Sequence, residues 1–340
     1  MATRTTIHDV AAAVGLSATT VSHALNGKGR VDPATRERIA AAADELGYRP
    51  NRTARRLRSG RSGSIALLLP FVEPDIVRDE MLALDYYMHL AGAAARAAFA
   101  TGHPVLLTPP LRSADDLRDL GVDGGVVCDP ARDDHRVGLF AQLGLPVVTV
   151  ERDPDRPDSA RVVRSDNEGN ARRLLDQLAE AGAARIALLA SGGGWGWAEE
   201  TESAYLEWCA EHGRQPLIER ASMRAQERSA YVAAGRLLDR ERPDAVVAQA
   251  ERYTPGVLRA ARERGMRVPG DLRVAAAVDS PQARDADPPV TAIDLQPEVQ
   301  GAAAVEMLIA ILAGDEPEEP RITPALLHVR ASTLSRGASA

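Results

Sequence analysis

The chain has 340 residues, 45% hydrophobic, 26% charged and only 4% aromatic, with a formal net charge of −7. That length predicts two or three domains with ample apolar material for a core, and no run approaches the roughly 18–20 uncharged apolar residues of a membrane helix. Two distant cysteines, Cys128 and Cys209, offer neither a disulfide framework nor a zinc motif. The opening residues, MATRTTIHDV, lack the basic stretch and apolar core of a secretory signal, so the expected location is cytoplasmic with no membrane partner.

The net charge hides an asymmetry. Residues 1–61 carry 11 basic and 5 acidic side chains, whereas the remainder carries 30 basic and 43 acidic. Such a split points to a polyanion-binding head on an acidic body, a solvated basic arm being the alternative on charge alone.

Pattern separates the two. Thr6 with Asp9 resembles a capping box, Ile7, Val10, Ala11 and Val14 recur on one helical face, and Gly15 ends the element. Ser17 is placed to cap a second helix that turns Val21, Ala24 and Leu25 inward and Ala18, Thr19, Ser22 and His23 outward, with Asn26-Gly27 as its stop. Asp32-Pro33 opens a third helix, periodic around Ile39, Ala43 and Leu46, which Gly47 ends. Two short helices joined at Ala13-Val14-Gly15-Leu16 form a helix-turn-helix pattern. The small residues Ala11 and Gly15 permit close helix approach, and the short polar side chains of the second helix can reach base edges and phosphates without steric block. A plain three-helix bundle usually carries long charged residues there.

The stretch TIHDVAAAVGLSATTVSHALNGKGRVDPATRERIAAAADELGYRPNRTARRLRSGRSG closely resembles the DNA-binding head and hinge of the lactose-repressor (LacI) family of bacterial transcription regulators. The resemblance implies that the second helix lies in the major groove of double-stranded operator DNA. Ala18, Thr19 and His23 would then occupy base-reading positions, and Thr6, Ser17, Thr20, Ser22 and Asn26 phosphate-contacting ones. His23 departs from an arginine common in the family. It offers one donor or acceptor where arginine reads guanine through two parallel hydrogen bonds. Residues 51–58 would form a hinge helix, containing Asn51, Ala54, Leu57 and Arg58, when two subunits meet on DNA. Leu57 would wedge between base pairs at the operator centre, and Ala54 would keep the paired helices close. A lone helix of that length is marginal in water, which makes it usable as a switch.

Beyond residue 64, apolar runs at 65–69, 105–107, 125–127, 147–150, 186–190, 245–248 and 274–278 alternate with helical stretches, which predicts parallel sheets covered by helices. The order and spacing resemble the periplasmic-binding-protein-like effector domain of the same family. The expected organisation is a small all-α helix-turn-helix head over 1–49, a hinge over 50–61, a two-lobed α/β effector-binding and dimerisation domain over 62–333, and a tail over 334–340. Lobe one would comprise roughly 62–163 and 290–319, and lobe two roughly 164–289 and 320–333. The tail lacks leucine heptads, so a homodimer is expected rather than a tetramer.

A small-molecule effector would sit between the lobes, near the carboxyl ends of the strands. Family members that bind sugars or nucleobases usually carry an arginine where Thr201 stands, an asparagine-aspartate pair where Ala250-Glu251 stands, and a paired aspartate where Val278-Asp279 stands. Those losses weaken the grip a polyhydroxyl ligand needs. Tyr86-Tyr87 and Trp195-Gly196-Trp197 stand out in an aromatic-poor chain, either as stacking walls for a planar or apolar effector or as plugs that pack lobe against lobe. The expected effector contacts are therefore Tyr86, Tyr87, Trp195, Trp197, Thr201, Glu251 and Asp279. The seven histidines are scattered, with no Gly-x-Ser-x-Gly elbow, no P-loop and no metal-ligand spacing, so no enzyme, cofactor or metal is expected. Two functions remain: an effector-controlled transcription regulator, most simply a repressor, or an effector-independent architectural DNA-binding protein with a vestigial cleft.

Overall fold

The structure, a computed structural model, describes residues 5–25, 29, 31–48, 62–70 and 84–334. The chain divides into two compact units, Met1–Ser62 and Gly63–Ala340. Asn26, Asn51, Ala54, Leu57, Arg58 and all but the first residue of the tail lie outside the described residues.

In the head, α1 (Ile7–Val14), α2 (Ala18–Leu25) and α3 (Pro33–Glu45) enclose a core of Val10, Ala11, Val21, Ala24, Ile39 and Ala43. Each start follows from its sequence. The Thr6 backbone N–H donates to Asp9 Oδ2 at 2.7 Å, Ser17 Oγ accepts the Thr20 N–H at 3.1 Å, and Asp32 Oδ1 accepts the Thr35 N–H at 2.9 Å. Gly15 ends α1 at φ +69°, in the left-handed region where a side chain is costly, and this turns the chain into α2.

The body contains two six-stranded sheets. The first holds β1 (Ile65–Leu68), β2 (Val105–Leu107), β3 (Gly124–Cys128), β4 (Val147–Val150), β5 (Val162–Ser165) and β11 (Arg321–Thr323), in the order β11-β5-β4-β3-β1-β2 and parallel throughout. The second holds β6 (Ile186–Ser191), β7 (Leu217–Ala221), β8 (Ala245–Ala248), β9 (Arg273–Ala276), β10 (Thr291–Asp294) and β12 (Leu326–His328), in the order β12-β10-β9-β8-β6-β7, with only β12 antiparallel. The helices that flank the cleft are α4 (Asp85–Ala100) in the first lobe and α5 (Asn167–Glu180), α6 (Gly196–Glu211) and α7 (Gln226–Glu241) in the second. Central strands such as β1, β3 and β8 are buried along their whole length, as parallel sheets covered on both faces require.

The lobe boundaries differ from the sequence expectation. Thr291 pairs with Ala275 in the second sheet, so the second crossing falls after Asp294 rather than before residue 290. Arg321–Thr323 pairs with β5 in the first sheet, so the last crossing lies between Thr323 and Leu326 rather than near 320. Both strands run to their ends before the chain changes lobe, which carries each crossing a few residues further along.

Candidate DNA-contact face and interlobe cleft

The head presents Ser17, Thr19 and His23 exposed, with Ala18, Thr20 and Ser22 half-buried. Ala18, expected to face outward, is half-buried, one side of it packing against the head core beside Val21 and Leu25 three and seven residues on. The Ser17 and Thr20 hydroxyls lie 2.9 Å apart at the N-terminus of α2, where backbone N–H groups and the helix dipole favour phosphate oxygens. Thr6 Oγ1 donates to Asp9 Oδ2 at 2.8 Å, so its hydroxyl already serves the cap of α1. The His23 ring packs beside Gly29. A Cβ at Gly29 would stand 2.9 Å from His23 Nδ1, and Gly29 itself sits at φ +73°.

In the body, the carboxyl ends of both sheets converge on a narrow cavity of about 70 Å³. Tyr86, Tyr87, Trp197, Thr201 and Glu251 line it, as expected. Trp195 does not. It is buried, stacked on Trp197 at 6.0 Å between centroids, and its backbone bridges to Ala131 across the lobes. Asp279 is also absent from the lining. Its carboxylate is bound by Arg330 at 2.7 Å and Arg284 at 3.1 Å, while the preceding Val278 faces the cavity. Thr201 donates its hydroxyl to the Trp197 carbonyl at 2.8 Å, a bond within its own helix.

The strongest chemistry in the cleft lies on residues that the motifs do not single out. Asp129 and Glu151 follow directly on β3 and β4, both with positive φ, +43° and +69°, and both are almost wholly buried. Tyr87 donates its hydroxyl to Asp129 Oδ2. Glu151 accepts bonds from the Ser165 N–H at 3.0 Å, Asn167 Nδ2 at 2.7 Å and Gln300 Nε2 at 2.9 Å. Burial pushes the Asp129 carboxyl up to about 6, against the pull of the Tyr87 hydroxyl and the Arg136 charge. Burial, reinforced by the neighbouring Asp129 charge, pushes Glu151 up to about 8. Arg136 positions this corner by donating to the carbonyls of Leu69 at 2.7 Å, Cys128 at 3.0 Å and Asp129 at 3.1 Å, which ties the ends of β1 and β3 together. A usable signal existed: in a parallel sheet, the residue just after each apolar run points toward the ligand crevice. Asp129, Glu151 and Gln249 all satisfy that rule.

The lobes are joined by contacts of their own. Glu251 on the second lobe accepts from the first two N–H groups of α4. Arg152 Nε donates to Glu200 at 2.7 Å, Arg132 Nη2 to Glu199 at 2.5 Å, and the Arg132 N–H to the Gly194 carbonyl at 2.8 Å. Gly196 lies against the Arg152 carbonyl so closely that any side chain there would collide with it.

A helix-turn-helix head joined to a two-lobed α/β body with a cleft at its strand ends defines a DNA-binding transcription regulator. Residues 6–51 match the lacI family of bacterial regulatory proteins, and residues 175–333 match a periplasmic binding protein-like domain. The HTH-type transcriptional regulator CelR of Thermobifida fusca is 31% identical over 329 residues, which span 94% of this chain and 95% of that one. The solved CelR–cellobiose complex superposes with a TM-score of 0.74 at 28% identity, covering 97% of this chain and 100% of that one. The lac repressor dimer bound to operator and an anti-inducer shares the fold with a TM-score of 0.79 at 24% identity, covering 98% and 100%. The chain belongs to the lacI family.

Proposed function

We propose that the protein binds a pseudo-palindromic operator as a homodimer, represses transcription there, and changes its DNA affinity when a small molecule enters the interlobe cleft. The observation that carries the DNA half is the exposed face of Ser17, Thr19 and His23 on a helix of a head that, together with the hinge, carries 11 basic against 5 acidic side chains over residues 1–61. Thr6, Ala18, Thr20, Ser22 and Asn26 complete the contact set in this reading, with Asn51, Ala54, Leu57 and Arg58 acting at the operator centre. The effector half is supported by a cavity at the strand ends between two lobes whose contacts include exposed ion pairs such as Arg132–Glu199. A cavity of about 70 Å³ admits only a few atoms. An effector as large as the cellobiose in the CelR complex enters only if the lobes part, and such a ligand favours one closure state over the other. That difference in affinity is what a ligand needs in order to shift a conformational equilibrium.

The second reading, a DNA-binding protein with a vestigial cleft, is favoured by the contacts the chain supplies to its own cleft, Glu251 on α4 above all. Sedimentation of the protein on a selected operator duplex, with and without candidate ligands, separates the two. Two chains per duplex, released or tightened by one ligand, support the regulator. Binding that no ligand alters supports the second reading, and one chain per duplex overturns the dimer.

A further inference from the structure

We propose that the interlobe cleft takes a small organic cation whose protonated amine lies at the carboxylates of Asp129 and Glu151, whose apolar body lies against Tyr86, Tyr87 and Trp197, and which offers an acceptor to Asn170 and Gln226. This rests on the reading that the cleft holds an effector, and names the chemistry of that effector.

Three carboxylates, Asp129, Glu151 and Glu251, line the cavity, and among the described residues no arginine, lysine or histidine does. Glu251 is occupied by the N-terminus of α4. Glu151 has neutral donors on both oxygens but no cation, and Asp129 has the hydroxyl of Tyr87. Two neighbouring acids thus share this buried corner with no cation bonded to either carboxylate, the nearby Arg136 being paired with Asp134 at 2.6 Å, an arrangement that a bound cation would relieve. Both are held at strand ends in a strained left-handed backbone conformation, the sort of strain that concentrates at ligand sites.

An independent observation points to the ligand's other end. Asn170 Nδ2 and Gln226 Nε2, on residues 7% and 3% exposed that line the same cavity, have no hydrogen-bond partner among the described residues. Their oxygens are engaged, Asn170 Oδ1 by Arg173 at 3.3 Å and Gln226 Oε1 by the Arg252 N–H at 3.4 Å, which leaves the amide N–H groups to donate. Buried donors without partners are uncommon, and they fit a ligand hydroxyl or carbonyl. An anionic ligand would meet three carboxylates. A neutral polyol would satisfy the amides but leave both carboxylates without a bonded cation, whereas an ammonium group gains charge-assisted hydrogen bonds there.

The test uses the full chain near neutral pH and two matched probe pairs, benzylamine against benzyl alcohol and glucosamine against glucose, followed by calorimetry and by tryptophan fluorescence. The expected result is that the amine of at least one pair binds tenfold or more tightly than its alcohol, and that Asp129→Asn removes this preference while operator binding persists. Glu151→Gln, which keeps the shape and one acceptor oxygen for the Ser165 and Gln300 donors, should reduce the preference as well. Equal or tighter binding by the neutral members overturns the cation while leaving the effector cleft in place. No binding by either member of either pair at tens of millimolar, with operator binding intact, overturns both the cation and a cleft that opens to small ligands.

Discussion

Glu251, three residues past the end of β8 in the second lobe, accepts the backbone N–H of Asp85 at 3.0 Å and of Tyr86 at 3.2 Å, the first two residues of α4 in the first lobe. That helix begins after Leu84, which has no acceptor to offer. A carboxylate from one lobe therefore caps a helix of the other and neutralises the positive end of its dipole. Burial raises the Glu251 carboxyl while the two N–H groups pull it down.

Replacing Glu251 with alanine leaves α4 uncapped and removes a tie between the lobes. We expect a loss on the order of 1–2 kcal/mol from the body, read as a lower Tm, together with a larger radius of gyration by small-angle scattering. An unchanged radius and Tm would show that the contact does not hold the lobes.

Gly196 tests closure from the other side. A Cβ there meets the Arg152 backbone carbonyl, which cannot swing aside as a side chain can. Gly196→Ala should wedge the lobes apart and speed amide hydrogen exchange at Arg132, whose N–H bonds to Gly194 across the cleft. Gly192→Ala, where nothing lies within 4 Å of the new atom, is the control and should leave that exchange rate alone.

The acid pair gives a pH signature. Asp129 is surrounded by Tyr86, Tyr87, Cys128 and Arg136, and Glu151 by Ser165, Asn167, Glu200 and Gln300, with burial raising both and the Asp129 charge raising Glu151 further. Folded values of about 6 and about 8 exceed the ordinary 3.8 and 4.5. The folded state thus holds more protons than the unfolded one in that interval, and its stability is greatest below it and falls as pH rises toward about 8. The loss is on the order of a few kcal/mol. In the double variant Asp129→Asn, Glu151→Gln, Tm should fall less steeply across that interval than in the parent chain. Parallel slopes would refute the assignment.

Trp197 lines the cavity and Trp195 is packed behind it. A ligand that enters the cleft should therefore change the emission of a Trp195→Phe variant far more than that of a Trp197→Phe variant, and the reverse pattern would place the ligand elsewhere.

The head was largely legible in the sequence because its signals are local. Caps at Thr6, Ser17 and Asp32 and a left-handed Gly15 each act within a few residues of themselves. Central strands were legible for a similar reason, since burial on both faces writes a continuous apolar run. The strands β5, β7, β10, β11 and β12 were not anticipated. Several carry polar residues or sit at sheet edges, as Leu217–Ala221 with its Glu219 and Arg220 does, and so show no such run. The cleft was legible in its aromatics and opaque in its acids. Asp129 and Glu151 are distinguished by what two separate strand ends bring together, and Asp279 was misplaced because its partner Arg330 lies 51 residues away.

Two substitutions probe the DNA contacts. His23→Ala should relax preference at one symmetric pair of operator positions, with the rest of the profile unchanged. Leu57→Ala should weaken specific binding far more than nonspecific binding, because a wedge acts only where the duplex is kinked; equal losses would remove that role.

The most direct measurement is selection of genomic DNA fragments by the purified protein, followed by sequencing of those retained. Sequence-specific regulation predicts enrichment of one palindrome whose half-sites are related by a two-fold axis, with a central step that kinks readily. Retention of fragments that share no motif would contradict it and leave a DNA-binding protein without a fixed operator.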